Sequence, residues 1–270
     1  VSKQKKVKAM AVAMGVLFLL SGCQEKKEAQ SAKESTSESQ VSDESTVAPE
    51  NEVLKPITEH SIDYKGVMID KTDWQLILAN KEFPVNEVAG LEIQNADNNQ
   101  SMDQRIFPAY ESMKQAAQAD GIEFLLISGY RSVEAQQGIY DQSIATYLNQ
   151  GYSEEEAKKL TLDYIAYPGT SEHQTGLALD IVTPQYNHDV GELDDRFDAY
   201  DGAVWLKENA HKYGFVMRYP TGKEDITGYA HEGWHYRYVG IDHATQIYEE
   251  GLTLEEYLKL VDDTVQNNKK

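Results

Sequence analysis

Two stretches of this chain gather residue types that do metal chemistry: Ser171-Glu172-His173-Gln174-Thr175-Gly176-Leu177-Ala178-Leu179-Asp180 and Glu232-Gly233-Trp234-His235. They offer two imidazoles (His173 and His235), one carboxylate ligand (Asp180) and one spare carboxylate (Glu232). Three protein ligands, a fourth position left for water and a general base beside it make the inventory of a catalytic Zn²⁺ site. His173 and Asp180 are too far apart for one helical face, where ligands would sit three or four residues apart. A turn followed by a strand solves this. Gly176 ends the turn, and Leu177, Leu179 and Ile181 alternate with Ala178, Asp180 and Val182, so Asp180 projects from one face of a sheet. A second strand-like run carries Trp234, Tyr236 and Tyr238 on one face and His235, Arg237 and Val239 on the other. Two such strands in a shared sheet bring their ligands to one side.

Each of these residues also has a plainer reading. A His or Asp in a strand is most often a hydrogen-bonded structural residue. Glu232 can be an exposed carboxylate beside a turn, or a support for a His ligand. His231 competes as a ligand, although its place next to the base fits less well. His60, His188, His211 and His243 have no ligand-like context and read as surface or capping residues.

The elements that must position these residues follow from periodicity and punctuation. Residues 73–81 read as a short strand ending at Asn80-Lys81, and residues 101–120 as a helix with Ile106, Tyr110, Met113 and Ala117 on one face. The apolar run 122–128 reads as a central strand. It delivers Ser128-Gly129-Tyr130-Arg131-Ser132, with Arg131 at the exit into a helix over 133–149. An arginine there is ordinarily a surface ion-pair partner. Ser153 and Glu156 form a capping box for a helix running to about residue 166, stopped by Pro168-Gly169. Residues 194–202 read as loop, 203–213 as a helix closed by Gly214, 215–219 as a strand and 220–228 as a polar turn. Helices over 241–250 and 253–266 end the chain. The pattern is α+β, helices around a small antiparallel sheet, with no internal repeat.

The N-terminal part reads differently. Lys3, Lys5, Lys6 and Lys8 precede an apolar run from Ala9 to Leu20, then Leu20-Ser21-Gly22-Cys23. This is the layout of a secretory signal, too short for a comfortable membrane span. Cys23 is the sole cysteine, so no disulfide forms within the chain. From Gln24 to about Val53 eight acids meet three lysines, and no aromatic residue or apolar period appears. Such a segment buries too little to offset ordering entropy. As a flexible tether to residue 60 it spans roughly 35 Å. The expected domains are therefore a signal over 1–22, a lipidated Cys23 with an acidic tether over 23–60, and a folded domain over 61–266. The whole chain carries a formal charge of −20. That argues against nucleic-acid binding and against docking of the domain itself on anionic lipid.

Ser-x-His-x-x-Gly-x-Ala-x-Asp followed by Glu-x-Trp-His resembles the signature of the LdcB/VanY-type zinc D-Ala carboxypeptidases and dipeptidases of peptidoglycan. The resemblance covers roughly residues 74–240, with every metal and base position present. Ser-Gly-Tyr-Arg-Ser followed by Gln136 is similar to the family's second motif. The resemblance implies the fold shared with the hedgehog signalling domain, and Zn²⁺ on His173, Asp180 and His235. It makes Glu232 the base, and places Arg131, Gln136, Ser171 and Tyr130 at the substrate. Arg131 would serve either the oxyanion or the terminal carboxylate. Leu-Ser-Gly-Cys resembles a bacterial lipobox, which implies a lipid on Cys23 that holds the domain outside the cell membrane; the domain itself is expected to be monomeric. The implied partner is the peptidoglycan stem peptide. The full motif set, the helical insertion before Tyr167 and the lipobox favour an L,D-carboxypeptidase acting on tetrapeptides. A D,D-carboxypeptidase acting on D-Ala-D-Ala pentapeptides stands second. A non-catalytic zinc module is the reading from another class, and Glu232 argues against it, because a binding module needs no base.

Overall fold

The computed structural model describes residues 58–85 and 88–269. The expected signal, Cys23 and nearly all of the tether lie outside the described residues. Among those described, no helix is long and apolar enough to cross a membrane.

The centre is a four-stranded antiparallel sheet built from β5 (Leu125–Ser128), β6 (Ala178–Val182), β7 (Phe215–Tyr219) and β8 (Glu232–Tyr238), in the order β5-β6-β8-β7. Two small hairpins precede it: β1 (Ser61–Tyr64) with β2 (Val67–Asp70), and β3 (Ile93–Asn95) with β4 (Ser101–Asp103). Around these stand α1 (Phe107–Ala119), α2 (Val133–Asn149), α3 (Glu154–Leu162), the short α4 (Pro184–Asp189), α5 (Asp201–Asn209), the one-turn α6 (Glu224–Thr227), α7 (Ile241–Glu250) and α8 (Leu254–Asn268). The architecture is the expected α+β arrangement.

The two faces of the sheet are both covered, but by different chemistry. Leu179, Ile181, Phe215, Trp234 and Tyr236 join Tyr110, Met113 and Ala117 of α1 and Leu206 of α5 in the main apolar core. Each such aliphatic or aromatic side chain contributes about 1.5–3 kcal/mol on full burial. The alternate residues Asp180, His235 and Arg237 are just as buried on the other face. A second core joins Ile62 and Ile69 of the first hairpin to Val216 of β7, Ile247 of α7 and Tyr257, Leu258 and Val261 of α8.

Several boundaries differ from the sequence reading, each for a local reason. Residues 73–81 are not a strand. The Asp73 side chain accepts from Gln75 N and starts a 3₁₀ turn over Trp74–Leu76, while the Asn80 carboxamide accepts from the backbone of Glu82 and Phe83. The 101–120 segment is split: Ser101–Asp103 pairs with β3, and the helix begins at Phe107, with Pro108 in its first turn. β5 is an edge strand, not a central one. The apolar residues Phe124, Leu125, Leu126 and Ile127 of its run all lie in or against the main core, and hydropathy cannot distinguish that from a place inside the sheet. The Ser153–Glu156 capping box is present, but α3 stops at Leu162. Residues 195–199 form a 3₁₀ turn where a loop was expected, and 224–227 a helical turn. The 203–213 helix begins at Asp201 and tightens to 3₁₀ over Ala210–Tyr213 before Gly214.

Candidate metal centre

Register builds the centre. Asp180 on β6 lies directly opposite His235 on β8, and Ser128 of β5 lies opposite Asp180 on the other side. Opposed residues of an antiparallel pair point to the same face, so the carboxylate and the imidazole meet without any loop. His173 arrives from a 3₁₀ turn, Glu172–Thr175, that Gly176 closes at φ +71°, a conformation side chains other than glycine's rarely adopt. A Cβ on Gly176 would also fall 2.9 Å from a Leu91 methyl and 3.1 Å from Asp103 N.

Among the described residues, His173, Asp180 and His235 form the one cluster of metal-ligating side chains, with one ligand atom from each inside a 4.8 Å span. His173 Nε2 is 3.2 Å from Asp180 Oδ2, and His235 Nδ1 is 3.0 Å from Asp180 Oδ1. Ligands held at about 2.0–2.2 Å in a tetrahedral shell stand a little over 3 Å apart, so these separations and the two-nitrogen, one-oxygen donor set fit Zn²⁺. The outer nitrogens are engaged as well. His173 Nδ1 is 2.7 Å from Gly129 O, and His235 Nε2 is 2.9 Å from Glu172 Oε2.

Electrostatics favour a cation here. Burial opposes ionisation of Asp180, but the charges and hydrogen bonds of His173 and His235 outweigh it and hold the carboxylate well below its ordinary range. Burial and the Arg131 charge lower His173 to about 4. Burial also disfavours the charged form of His235, yet hydrogen bonds to Asp180 and Glu172 raise it to about 9. Two carboxylates thus call for positive charge at this ring, as a proton or a metal ion. Glu232 is 6 % exposed, and its Oε2 is 3.6 Å from His235 Nδ1. Burial, reinforced by Asp180 and relieved in part by His235, pushes Glu232 up to about 8. A carboxyl held near neutrality beside a metal cluster is suited to moving a proton.

Arg131 stands at the exit of β5. Its backbone N–H donates to His173 O, and its side chain is 4.0 Å from Asp180 Oδ2. Burial lowers its guanidinium, and its Nε has no hydrogen-bond partner among the described residues. Gln136 is buried and donates to Ala166 O, holding the loop ahead of the first motif, while its Oε1 lacks a partner among the described residues. Ser171 is buried where the 3₁₀ turn begins, without capping it, and Tyr130 is half-buried, its backbone N–H on Ser101 O. Neither side chain makes a hydrogen bond among the described residues.

His231 is not in the cluster: its ring is held by Tyr219 O and Asp198 Oδ2. His60 and His188 are exposed, as expected. His243 corrects the surface reading, since it is buried with Nδ1 3.0 Å from Tyr257 Oη. Two neighbours escaped the sequence reading. Glu172 was only a spacer in the motif, and Tyr219 packs its ring 4.8 Å from that of His235. Arg218 in the apolar run Phe215–Tyr219 was the available hint of a buried acid nearby.

A small antiparallel sheet flanked by helices, with a His-Asp-His cluster and an adjoining glutamate, defines the hedgehog-like peptidase class. The chain belongs to the VanY, D-alanyl-D-alanine carboxypeptidase, family, whose model matches residues 99–241. It is 43 % identical over 189 residues to a D-alanyl-D-alanine carboxypeptidase of Enterococcus faecalis, covering 70 % of this chain and 67 % of that one. Among solved structures it is similar to the vancomycin-resistance D,D-pentapeptidase VanY of a VanB-type cassette in complex with Zn(II). That similarity has a TM-score of 0.61 and 42 % identity, covering 69 % of this chain and 99 % of that one. It is also similar to the LdcB LD-carboxypeptidase, with a TM-score of 0.57 and 33 % identity, covering 74 % of this chain and 92 % of that one.

Proposed function

We propose that this chain is a zinc-dependent carboxypeptidase that removes the C-terminal D-alanine from peptidoglycan stem peptides. The observation that carries the reading is the convergence of His173, Asp180 and His235 within 4.8 Å, with Glu232 buried beside them. In this reading His173 Nε2, an Asp180 oxygen and His235 Nδ1 hold the ion. When bound, the ion supplies Lewis acidity toward water and the scissile carbonyl. Glu232 takes the proton of the attacking water and returns it to the leaving D-alanine amine. Arg131 orients the substrate, its planar guanidinium being suited to a terminal carboxylate. His173, Asp180, Glu232 and His235 are all buried, which strengthens each of these interactions.

For the substrate, the balance moves toward D-Ala-D-Ala pentapeptides, away from the tetrapeptide reading of the sequence. Two D,D-acting relatives, the carboxypeptidase of Enterococcus faecalis and the VanB-type VanY, are 42–43 % identical; other D,D-acting relatives, at 32–34 %, stand level with the LD-carboxypeptidase at 33 %. The zinc-loaded chain, given defined tetra- and pentapeptides and followed by mass spectrometry, should release one D-alanine from the pentapeptide faster. Preference for the tetrapeptide would restore the L,D reading. No release from either would favour the non-catalytic zinc module.

The substrate places the enzyme outside the cytoplasm, and Leu20-Ser21-Gly22-Cys23 supports a lipid anchor there. Cys23→Ala should move the protein from the membrane fraction to a released or unprocessed form with unchanged specific activity. A variant processed and retained like the parent would sink the anchor.

A further inference from the structure

Glu172 sits next to a metal ligand in sequence but points to the other one. Its Oε1 accepts from Arg218 Nε and from Arg237 Nη1, each at 2.8 Å, and its Oε2 is 2.9 Å from His235 Nε2. The Glu172, Arg218 and Arg237 side chains have no exposed surface. The other guanidinium nitrogens are each engaged in turn. Arg218 places Nη1 and Nη2 on the two oxygens of Glu255 at the start of α8, and Arg237 donates to Gln75 O and Tyr238 O. Burying two guanidiniums and a carboxylate costs several kcal/mol per ion before pairing, and apolar side chains of similar volume often pack as stably. The network therefore invites a reason beyond packing. Its link to the metal-ligating cluster is the Oε2 approach to His235.

We propose that Glu172 is a positioning residue of the metal centre: it accepts the Nε2 proton of His235, so that Nδ1 is the nitrogen left to bind the ion. The proposal rests on the His173, Asp180 and His235 reading above. An ionised carboxylate only accepts hydrogen bonds, so Nε2 keeps its proton toward Glu172, and the nitrogen that can exchange its proton for the ion is Nδ1, on the Asp180 side. The two arginines fix the rotation of the carboxylate through Oε1 and leave Oε2 for the ring. His173 is arranged in the opposite sense. Gly129 O takes its Nδ1 proton, and Nε2 faces the cluster. The two rings meet edge to face, 87° apart, with their inward nitrogens both on Asp180. Groups of this kind typically change metal affinity by about 10- to 100-fold when removed.

Two measurements test it. In the ¹⁵N-labelled, zinc-loaded chain, long-range ¹H–¹⁵N spectra should find His235 protonated at Nε2 and metal-bound at Nδ1, with His173 the reverse. His235 bound through Nε2 would overturn the proposal, and this needs no variant to fold. In Glu172→Gln the acceptor is neutral and can turn its NH₂ toward the ring. Zinc affinity by chelator competition should then fall about 10- to 100-fold while circular dichroism stays native. Glu255→Gln is the control: it removes the charge and one acceptor oxygen of the outer partner of Arg218, so it should lower the melting temperature and leave zinc affinity unchanged. A folded Glu172→Gln chain with parental affinity overturns the positioning role, and so does equal zinc loss in Glu255→Gln. If the parent chain binds no zinc, the triad reading fails and takes this proposal with it.

Discussion

Asp180 and His235 face each other across the β6–β8 pair, with Oδ1 3.0 Å from Nδ1. The site is thus a property of strand register. A slip of one residue would turn His235 into the apolar core and Trp234 into the site. The apolar residues Leu179, Trp234 and Tyr236 on the opposite face hold that register, so the core and the centre are specified by the same alternation.

Metal retention follows from this geometry. Freshly purified protein should hold about one Zn²⁺ per chain, and His173→Ala or Asp180→Ala should lose it, because each removes one of three donors. Elemental analysis of the parent and both variants checks this. Unimpaired hydrolysis after chelation, with no stoichiometric metal in the parent, would remove the metal reading.

Glu232→Gln keeps size and hydrogen bonding but cannot accept a proton. Turnover should fall by roughly 10² to 10⁴, with zinc retained and little change in KM where KM approximates binding. Steady-state kinetics with zinc analysis on the same sample decides it. Near-normal turnover would remove Glu232 as the base.

Much of this centre could be read from the sequence because its parts are short and local. Alternation over 177–182 and 234–239 gave the faces, and Gly176 marked the turn between His173 and its strand. The helices 133–149 and 241–250 were also legible, since their ends coincide with Ser132 and with Gly240 and Gly251. What escaped was non-local or too short to show a period. The β1–β2 hairpin turns on Lys65 and Gly66, both at positive φ, and β3 and β4 have three residues each. Glu172 was invisible as a support for His235, because its partners lie 46, 63 and 65 residues away.

Gly129 carries a steric prediction. A Cβ there would fall 2.0 Å from Ser101 O, which also accepts from Tyr130 N, and the Gly129 carbonyl is the acceptor for His173 Nδ1. Gly129→Ala should push β4 and β5 apart, costing on the order of 1–3 kcal/mol, and weaken zinc binding by displacing that carbonyl. Denaturant midpoints and chelator competition measure the two effects. Parental values for both would mean that the close approach is dispensable.

Arg131 separates two roles of the same cation. Its guanidinium is buried at the cluster, 4.0 Å from Asp180, with Nε unpartnered among the described residues. An exopeptidase must recognise a free terminal carboxylate, and we expect Arg131 to take it through two parallel hydrogen bonds. Arg131→Lys keeps the charge and loses that fork, so KM should rise more than kcat falls. Amidating the substrate's C-terminus should damage the parent strongly and add little to the variant, because both changes remove one interaction. If Arg131 served the oxyanion instead, kcat would drop, and substitution and amidation would act independently, their free-energy losses summing. The full cycle of two enzymes and two substrates therefore discriminates between the roles by whether the losses add.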